Sequence, residues 1–173
     1  MERATWVCLL FLVLGSVVPS TALALDFGAG VSVGAVYVGT RAVPAITPHA
    51  GVSVQANTGL LFSLQDRPSI LPATNRDGVG LYNHLVAALG YTWGNGDIRG
   101  GASFTAYFMP ACRNKLCGVV AGVGVGADLQ LNYFFVGPAG VSVSGNVDWL
   151  GGDSLILPGG VAAMAVAGPV VRW

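Results

Sequence analysis

The sequence predicts an all-β fold: an eight-stranded antiparallel up-and-down transmembrane β-barrel after an N-terminal signal peptide. Three observations point there. Eight stretches alternate apolar residues with small or polar ones at a period of two. The connections between them alternate between short and longer. The aromatics of the apolar faces collect at the two ends of the stretches. The composition agrees, with 53% hydrophobic residues and only 9% charged. A soluble protein normally has about a quarter of its residues charged.

Residues 1–24 read as a signal peptide. Glu2 and Arg3 precede the apolar run "WVCLLFLVLGSVV", Pro19 and Ser20 break it, and Ala22-Leu23-Ala24 offers an A-x-A cleavage site. Cys8 lies inside the run, so no lipoprotein signal is read. Residues 25–173 then form one domain, with no stretch apolar enough to make a membrane helix. The best candidate, "LCGVVAGVGVGADLQLNYFFVG", is interrupted by Asp128, Gln130 and Asn132 and is rich in glycine.

The strands follow in order. Strand 1, about 27–38, sets Phe27, Ala29, Val31, Val33, Ala35 and Tyr37 on one face and Gly28, Gly30, Ser32 and Gly34 on the other. Strand 2, about 45–56, opposes Ile46, Ala50, Val52 and Val54 to Thr47, His49, Ser53 and Gln55. Strand 3, about 58–66, shows Leu60, Phe62 and Leu64. Strand 4, about 79–93, carries Leu81, Leu85, Ala87, Leu89, Tyr91 and Trp93, a face broken by Asn83. Tyr82, His84 and Thr92 lie opposite.

Strand 5, about 98–109, has Ile98, Ala102, Phe104, Ala106 and Phe108 against Arg99, Ser103, Thr105 and Tyr107. Strand 6, about 117–135, is the most regular. Val119 through Phe135 alternate with Gly118, Gly122, Gly124, Gly126, Asp128, Gln130 and Asn132. Strand 7, about 139–149, sets Val141, Val143, Val147 and Trp149 against Ser142, Ser144, Asn146 and Asp148. Strand 8, about 161–173, turns Val161, Ala163, Ala165, Ala167, Val171 and Trp173 outward and Arg172 inward.

A soluble barrel would show the same alternation with its apolar face inside. The connections and the aromatics decide between the two. "NTG", "GNGD" and "VGPAG" are tight turns. "GTRAVP", "QDRPSILPATNRDG", "MPACRNKLCG" and "LGGDSLILPGG" are longer and carry most of the charge: Arg41, Asp66, Arg67, Arg76, Asp77, Arg113, Lys115 and Asp153. Transmembrane barrels have this asymmetry. Phe27, Tyr91, Trp93, Tyr133, Phe135 and Trp173 fall at the turn side, and Tyr37, Phe108 and Trp149 at the loop side. Two such girdles match the two interfaces of a lipid slab. Phe27 to Tyr37 covers roughly 33 Å of strand, which a tilt of about 45° brings near the apolar band of about 25 Å. Inward residues are small because an eight-stranded barrel has little room inside.

At this point the chain resembles the small eight-stranded outer-membrane β-barrels of Gram-negative bacteria, the OmpA-barrel and OmpX-like class. The resemblance covers residues 25–173. Its most specific part is the last strand, where Val171 and Trp173 match the assembly signal with Ala165 and Ala167 before them. Pro169 departs from it, and a local break is expected where strand 8 meets strand 1. The resemblance implies a monomer in the outer membrane with both termini periplasmic. Its surroundings would be outer-membrane lipid and lipopolysaccharide, and the barrel-assembly machinery would read the last strand.

Function is less legible. Removing Glu2 and Arg3 leaves seven basic and seven acidic residues. No basic stripe supports nucleic-acid binding, and no cofactor or phosphate-binding motif occurs. The two cysteines of "CRNKLC", Cys112 and Cys117, suit a small loop disulfide after export. A metal site is not expected, because neither His49 nor His84 is near them in sequence. Inside the barrel, His84, Arg99, Asp128, Gln130, Asp148 and Arg172 are the candidates for a lumen polar network that plugs the channel. Arg99 and Arg172 belong near the periplasmic end.

The chain is read as a barrel with a structural or surface-interaction role, through membrane integrity or adhesion-like loop contacts; a narrow pore or small-ligand barrel, and then a lipid-A-modifying enzyme, are the alternatives. A lipid-A-modifying enzyme would need a His and a Ser in contact, yet His49 and Ser53 are roughly 13 Å apart along one strand. A narrow pore could follow the inward glycines of strand 6, unless Tyr82, Tyr107 and Phe134 fill the space. A surface-interaction role would use the outer loops, where Pro68 and Pro72 stiffen the longest and Ile70 and Leu71 could form an apolar tip.

Overall fold

A computed structural model describes residues 23–38, 41–72, 79–113, 116–151 and 160–173; for Arg41 and residues 109–113 and 116–117 it describes the backbone alone. The signal-peptide segment lies outside the described residues apart from Leu23 and Ala24. Eight strands run β1 Ala24–Val38, β2 Arg41–Gln55, β3 Leu60–Leu71, β4 Gly80–Trp93, β5 Gly96–Arg113, β6 Leu116–Val136, β7 Ala139–Gly151 and β8 Val161–Arg172. Each pairs antiparallel with the next, and β1 pairs with β8 to close the barrel.

Register partners traced once round the wall lead from Gly28 through Gly51, Gln65, Val86, Ser103, Gly126, Asp148 and Ala162 to Val38. The return is ten residues further along β1. That stagger in an eight-stranded barrel tilts the strands by about 40°. The interior is narrow enough for side chains to fill.

The outward face of the wall is apolar apart from Asp66 and Asn83. Leu64, Leu85, Phe104, Val125, Leu129, Val143 and Val147 are exposed, and so are all nine girdle aromatics. Trp149 reaches 72%. Such an exterior is stable against lipid, not water.

The turn side is as the sequence implies. Gly59, Gly94 and Gly137 take positive φ at the three tight turns, where a side chain would be strained. The opposite side differs. β1 and β2 are separated by only two residues, and so are β5 and β6. The expected loops "GTRAVP" and "MPACRNKLCG" are therefore mostly strand, because their alternation continues past the membrane zone. β5 pairs with β4 only as far as Phe108, and β6 pairs with β7 only from Val123. Met109–Arg113 and Leu116–Val120 pair with each other alone. They form a two-stranded ribbon beyond the barrel rim.

β3 also runs past the expected end near residue 66, through Arg67, Pro68, Ser69, Ile70 and Leu71. Arg67 and Asp66 are wall residues, not loop residues. Leu71 is buried inside and Ile70 faces out, so the two form no apolar loop tip. Pro68, read from the sequence as stiffening a loop, is accommodated within the strand at a defect. The β2–β3 ladder has no partners between Ile46–Ile70 and Ala50–Asp66. The Leu64 carbonyl points toward β2, and strand alternation turns the nitrogens of Pro48 and Pro68 into the same seam. Neither has an N–H to give.

A second defect lies at the closing seam. The β1–β8 ladder skips from Gly30–Val170 to Val33–Ala167 and resumes in the same register. The carbonyls of Val31 and Pro169 both face this seam, and Pro169 supplies no donor. Pro169 still keeps Val141 as its partner on β7.

Candidate functional site

Among the described residues, polar chemistry is concentrated in the lumen, and it is layered. At the loop side it is apolar. Val36, Ala45, Leu71, Tyr82, Tyr107, Val120, Leu150, Ala162, Met164 and Val166 pack into one cluster. The sequence reading named Tyr82 and Tyr107 as inward groups that could fill the space beside the β6 glycines, but not the aliphatic residues that join them here. Glycines on β6 make room for the cluster. A Cβ on Gly122 would collide with the Tyr107 hydroxyl, and one on Gly126 with the Asp148 carboxylate.

Below the plug, Asp148 is a hub. Its Oδ2 accepts from the Tyr82 hydroxyl at 2.5 Å and from His84 Nε2 at 2.7 Å. Its Oδ1 accepts from Ser103 at 2.8 Å, and Asn146 donates to Ser103 in turn. A carboxylate accepts only, so His84 carries its proton on Nε2 here. Tyr82, His84 and Asp148 are almost entirely buried.

Mid-lumen is organised by Arg67. Its Nη1 meets Asp128 Oδ2 at 2.6 Å. Its Nη2 donates to Gln65 Oε1 at 2.8 Å and to Gln130 Oε1 at 2.7 Å. Gln65 Nε2 also donates to Gln130 Oε1. Gln130 Nε2 passes the chain to Asn132 Oδ1 and Ser142 Oγ, both at 2.9 Å. Asn132 Nδ2 then donates to Asp97 Oδ1 at 2.7 Å.

Asp97 begins the turn-side layer. Arg99 grips both of its oxygens, at 2.7 and 3.1 Å. Arg172 approaches at 3.8 Å, lies over the Phe134 ring at 4.3 Å, and keeps a partly exposed side chain. Beside them is a cavity of about 20 Å³, lined in part by Gly28, His49, Gln65, Arg99, Asn132 and Arg172. That is room for about one water molecule.

The structure thus brings His84 to Asp148 and joins Asp128, Gln130 and Arg99 through one relay, with Arg172 at its end. The relay depends on Arg67, Gln65 and Asp97, which the sequence reading left out. Asp97 was assigned to a turn and Arg67 to a loop. The available signal was the alternation Ser63, Gln65, Arg67, Ser69 against Leu64, Asp66, Pro68, Ile70. The nine girdle residues and Val171 face outward. Cys112 and Cys117 are direct backbone partners in the ribbon, and their side chains lie outside the described residues.

No protein-family model matches the chain, and no curated protein matches it. Solved structures do. Neisserial surface protein A aligns with a TM-score of 0.59 at 11% identity, over 88% of this chain and 99% of that one.

The fold is that of the small eight-stranded outer-membrane β-barrels.

Ail, the attachment invasion locus protein of Yersinia pestis, solved in complex with the heparin analogue sucrose octasulfate, aligns with a TM-score of 0.55. Identity is 9%, over 86% of this chain and 97% of that one. The N-terminal β-barrel domain of Pseudomonas aeruginosa OprF gives 0.51 at 12% identity, over 86% and 96%. At these identities the likeness concerns the fold. The lumen network is read from this chain alone.

Proposed function

We propose that this protein is a sealed outer-membrane barrel that serves as a scaffold for surface contacts, with the β5–β6 ribbon as the contacting element. The supporting observation is the ribbon itself, in which Met109–Arg113 and Leu116–Val120 pair beyond the last partners on β4 and β7. Both termini would be periplasmic and the ribbon outside the cell. A disulfide between the register partners Cys112 and Cys117 would clasp its end. Outer-membrane lipid and lipopolysaccharide surround the wall in this reading. Val171 and Trp173 present the last strand to the assembly machinery.

The lumen favours a plug over a pore. An apolar layer covers the loop side and ion pairs fill the rest, leaving a cavity of about 20 Å³. Catalysis is not part of the proposal. The Ser103 hydroxyl is committed to Asp148 and does not face a histidine base.

The test replaces residues 111–118 with an Asn-Gly turn. Truncated and intact proteins are compared in planar bilayers and in adhesion of expressing cells to heparin-coated surfaces. Conductance is expected near zero for both, and adhesion is expected to fall with truncation. Conductance in the intact protein, or adhesion equal in both, would sink the proposal.

A further inference from the structure

The turn-side layer of the lumen sets two guanidiniums against one carboxylate. Arg99 takes both oxygens of Asp97 through Nε and Nη2, and Asn132 Nδ2 donates to Asp97 Oδ1 as well. Arg99 Nη1 is left without a hydrogen-bond partner among the described residues. Arg172 comes no closer to Asp97 than 3.8 Å, and no other carboxylate among the described residues is nearer to it. Asp128, the next carboxylate inward, is held by Arg67. Asp26 shares the inward parity of β1 at this end, but no ion pair joins it to either guanidinium. Arg172 is thus a cation whose one counter-charge is distant and already engaged.

The cavity of about 20 Å³ lies beside both arginines, and its lining holds His49 and Ser53 but no carboxylate. His49 Nε2 is buried and has no hydrogen-bond partner in this chain. The amide oxygens of Gln65, Gln130 and Asn132, which also border the space, already accept from neighbours. Gly28 keeps the space open, because a Cβ there would meet only the Val171 carbonyl oxygen, at 3.6 Å. Such a space takes a water or a single-atom ion and is too small for a phosphate group.

We propose that this cavity is a binding site for a small monovalent anion of halide size, held by the guanidiniums of Arg99 and Arg172 with His49 and Ser53 beside it. Charge decides for an anion over water. The lining presents two cations, and the one carboxylate they share lies outside it. A charge withdrawn from water needs a counter-charge, and one positive charge here lacks a close one. Hydrogen bonds from guanidinium to an anion are also stronger than those to a neutral oxygen. The ion enters from the turn side, where the Arg172 side chain is partly exposed. The apolar cluster closes the opposite end, so the site is a dead end and not a pore. An ion bound there ties β2, β5 and β8 together across the lumen, through His49, Arg99 and Arg172. The inference concerns the turn-side lumen and not the ribbon, so it can fail independently of the proposed function.

The test follows the whole protein in detergent micelles by the NMR signals of the arginine Nε–H groups. Sodium gluconate is replaced stepwise by sodium chloride at constant ionic strength, and gluconate is too large for the cavity. A saturable shift at Arg99 and Arg172 is expected, and the urea midpoint should rise with chloride along the same binding curve. Arg172→Gln keeps a polar group at a partly exposed position. Read at Arg99, it should weaken chloride binding at least about tenfold. Gly28→Ala puts a methyl into the cavity without a backbone clash, and should weaken binding as well. Heat-modifiable gel mobility checks that both variants fold. The absence of a saturable shift in the wild type, which would mean that only water enters, would overturn the proposal. So would a dissociation constant unchanged in either variant.

Discussion

Arg67 shows how one buried charge organises a lumen. From β3 it holds Asp128 and Gln130 of β6, and Gln65 of its own strand, in one relay. Removing one partner of such a pair strands the other charge, at a cost of about 3–5 kcal/mol. Arg67→Leu and Asp128→Leu should each lower stability by about that amount in urea titrations of vesicle-bound protein. The double Leu variant should recover most of it, because no unpaired charge remains. Asp148 has a different role, as the acceptor for three donors. Asp148→Ala leaves Tyr82, His84 and Ser103 unsatisfied, and the expected loss is about 3 kcal/mol or more. A loss below about 1 kcal/mol in the same titration would mean that water replaces the carboxylate freely.

Among the elements, proline decides where the wall is weak. Both ladder gaps with donors missing contain one: Pro48 and Pro68 between β2 and β3, and Pro169 between β1 and β8. Pro169→Val returns an N–H opposite the Val31 carbonyl and keeps an apolar residue toward lipid. It should stabilise the barrel by about 0.5–1.5 kcal/mol, the worth of one net hydrogen bond. The readout is the urea midpoint, together with hydrogen exchange of the β1–β8 amides, which should slow. Unchanged exchange at that seam would show that the gap has a cause other than the missing donor.

For the molecule as a whole, the layers of the lumen imply a closed barrel with a projecting ribbon. The ribbon's end is expected to be covalently clasped. Thiol titration of the exported, unfolded protein should find no free thiol at Cys112 and Cys117, and two after reduction. Reduction should leave heat-modifiable mobility intact, because the barrel ladder does not pass through the ribbon's end. Two free thiols before reduction would show that the register pairing is not oxidised.

What was legible in the sequence follows from local chemistry. Alternation at period two gave the eight strands, their outward faces and both aromatic girdles, since which side a residue takes depends on its parity alone. His84, Arg99, Asp128, Gln130 and Asp148 could be placed inside on the same ground. The bonds they make could not. Arg67 and Asp128 are 61 residues apart, and their meeting depends on the ten-residue stagger of the closed barrel. Gly122 beneath Tyr107 and the apolar loop-side plug depend on it too. The alternation was lost at Asp66 and Pro68, where charge and proline together read as loop. Only the closed wall shows that the strand continues and leaves Asp66 facing lipid. Parity is a property of a strand by itself, whereas partnership depends on register, and register is set when all eight strands close.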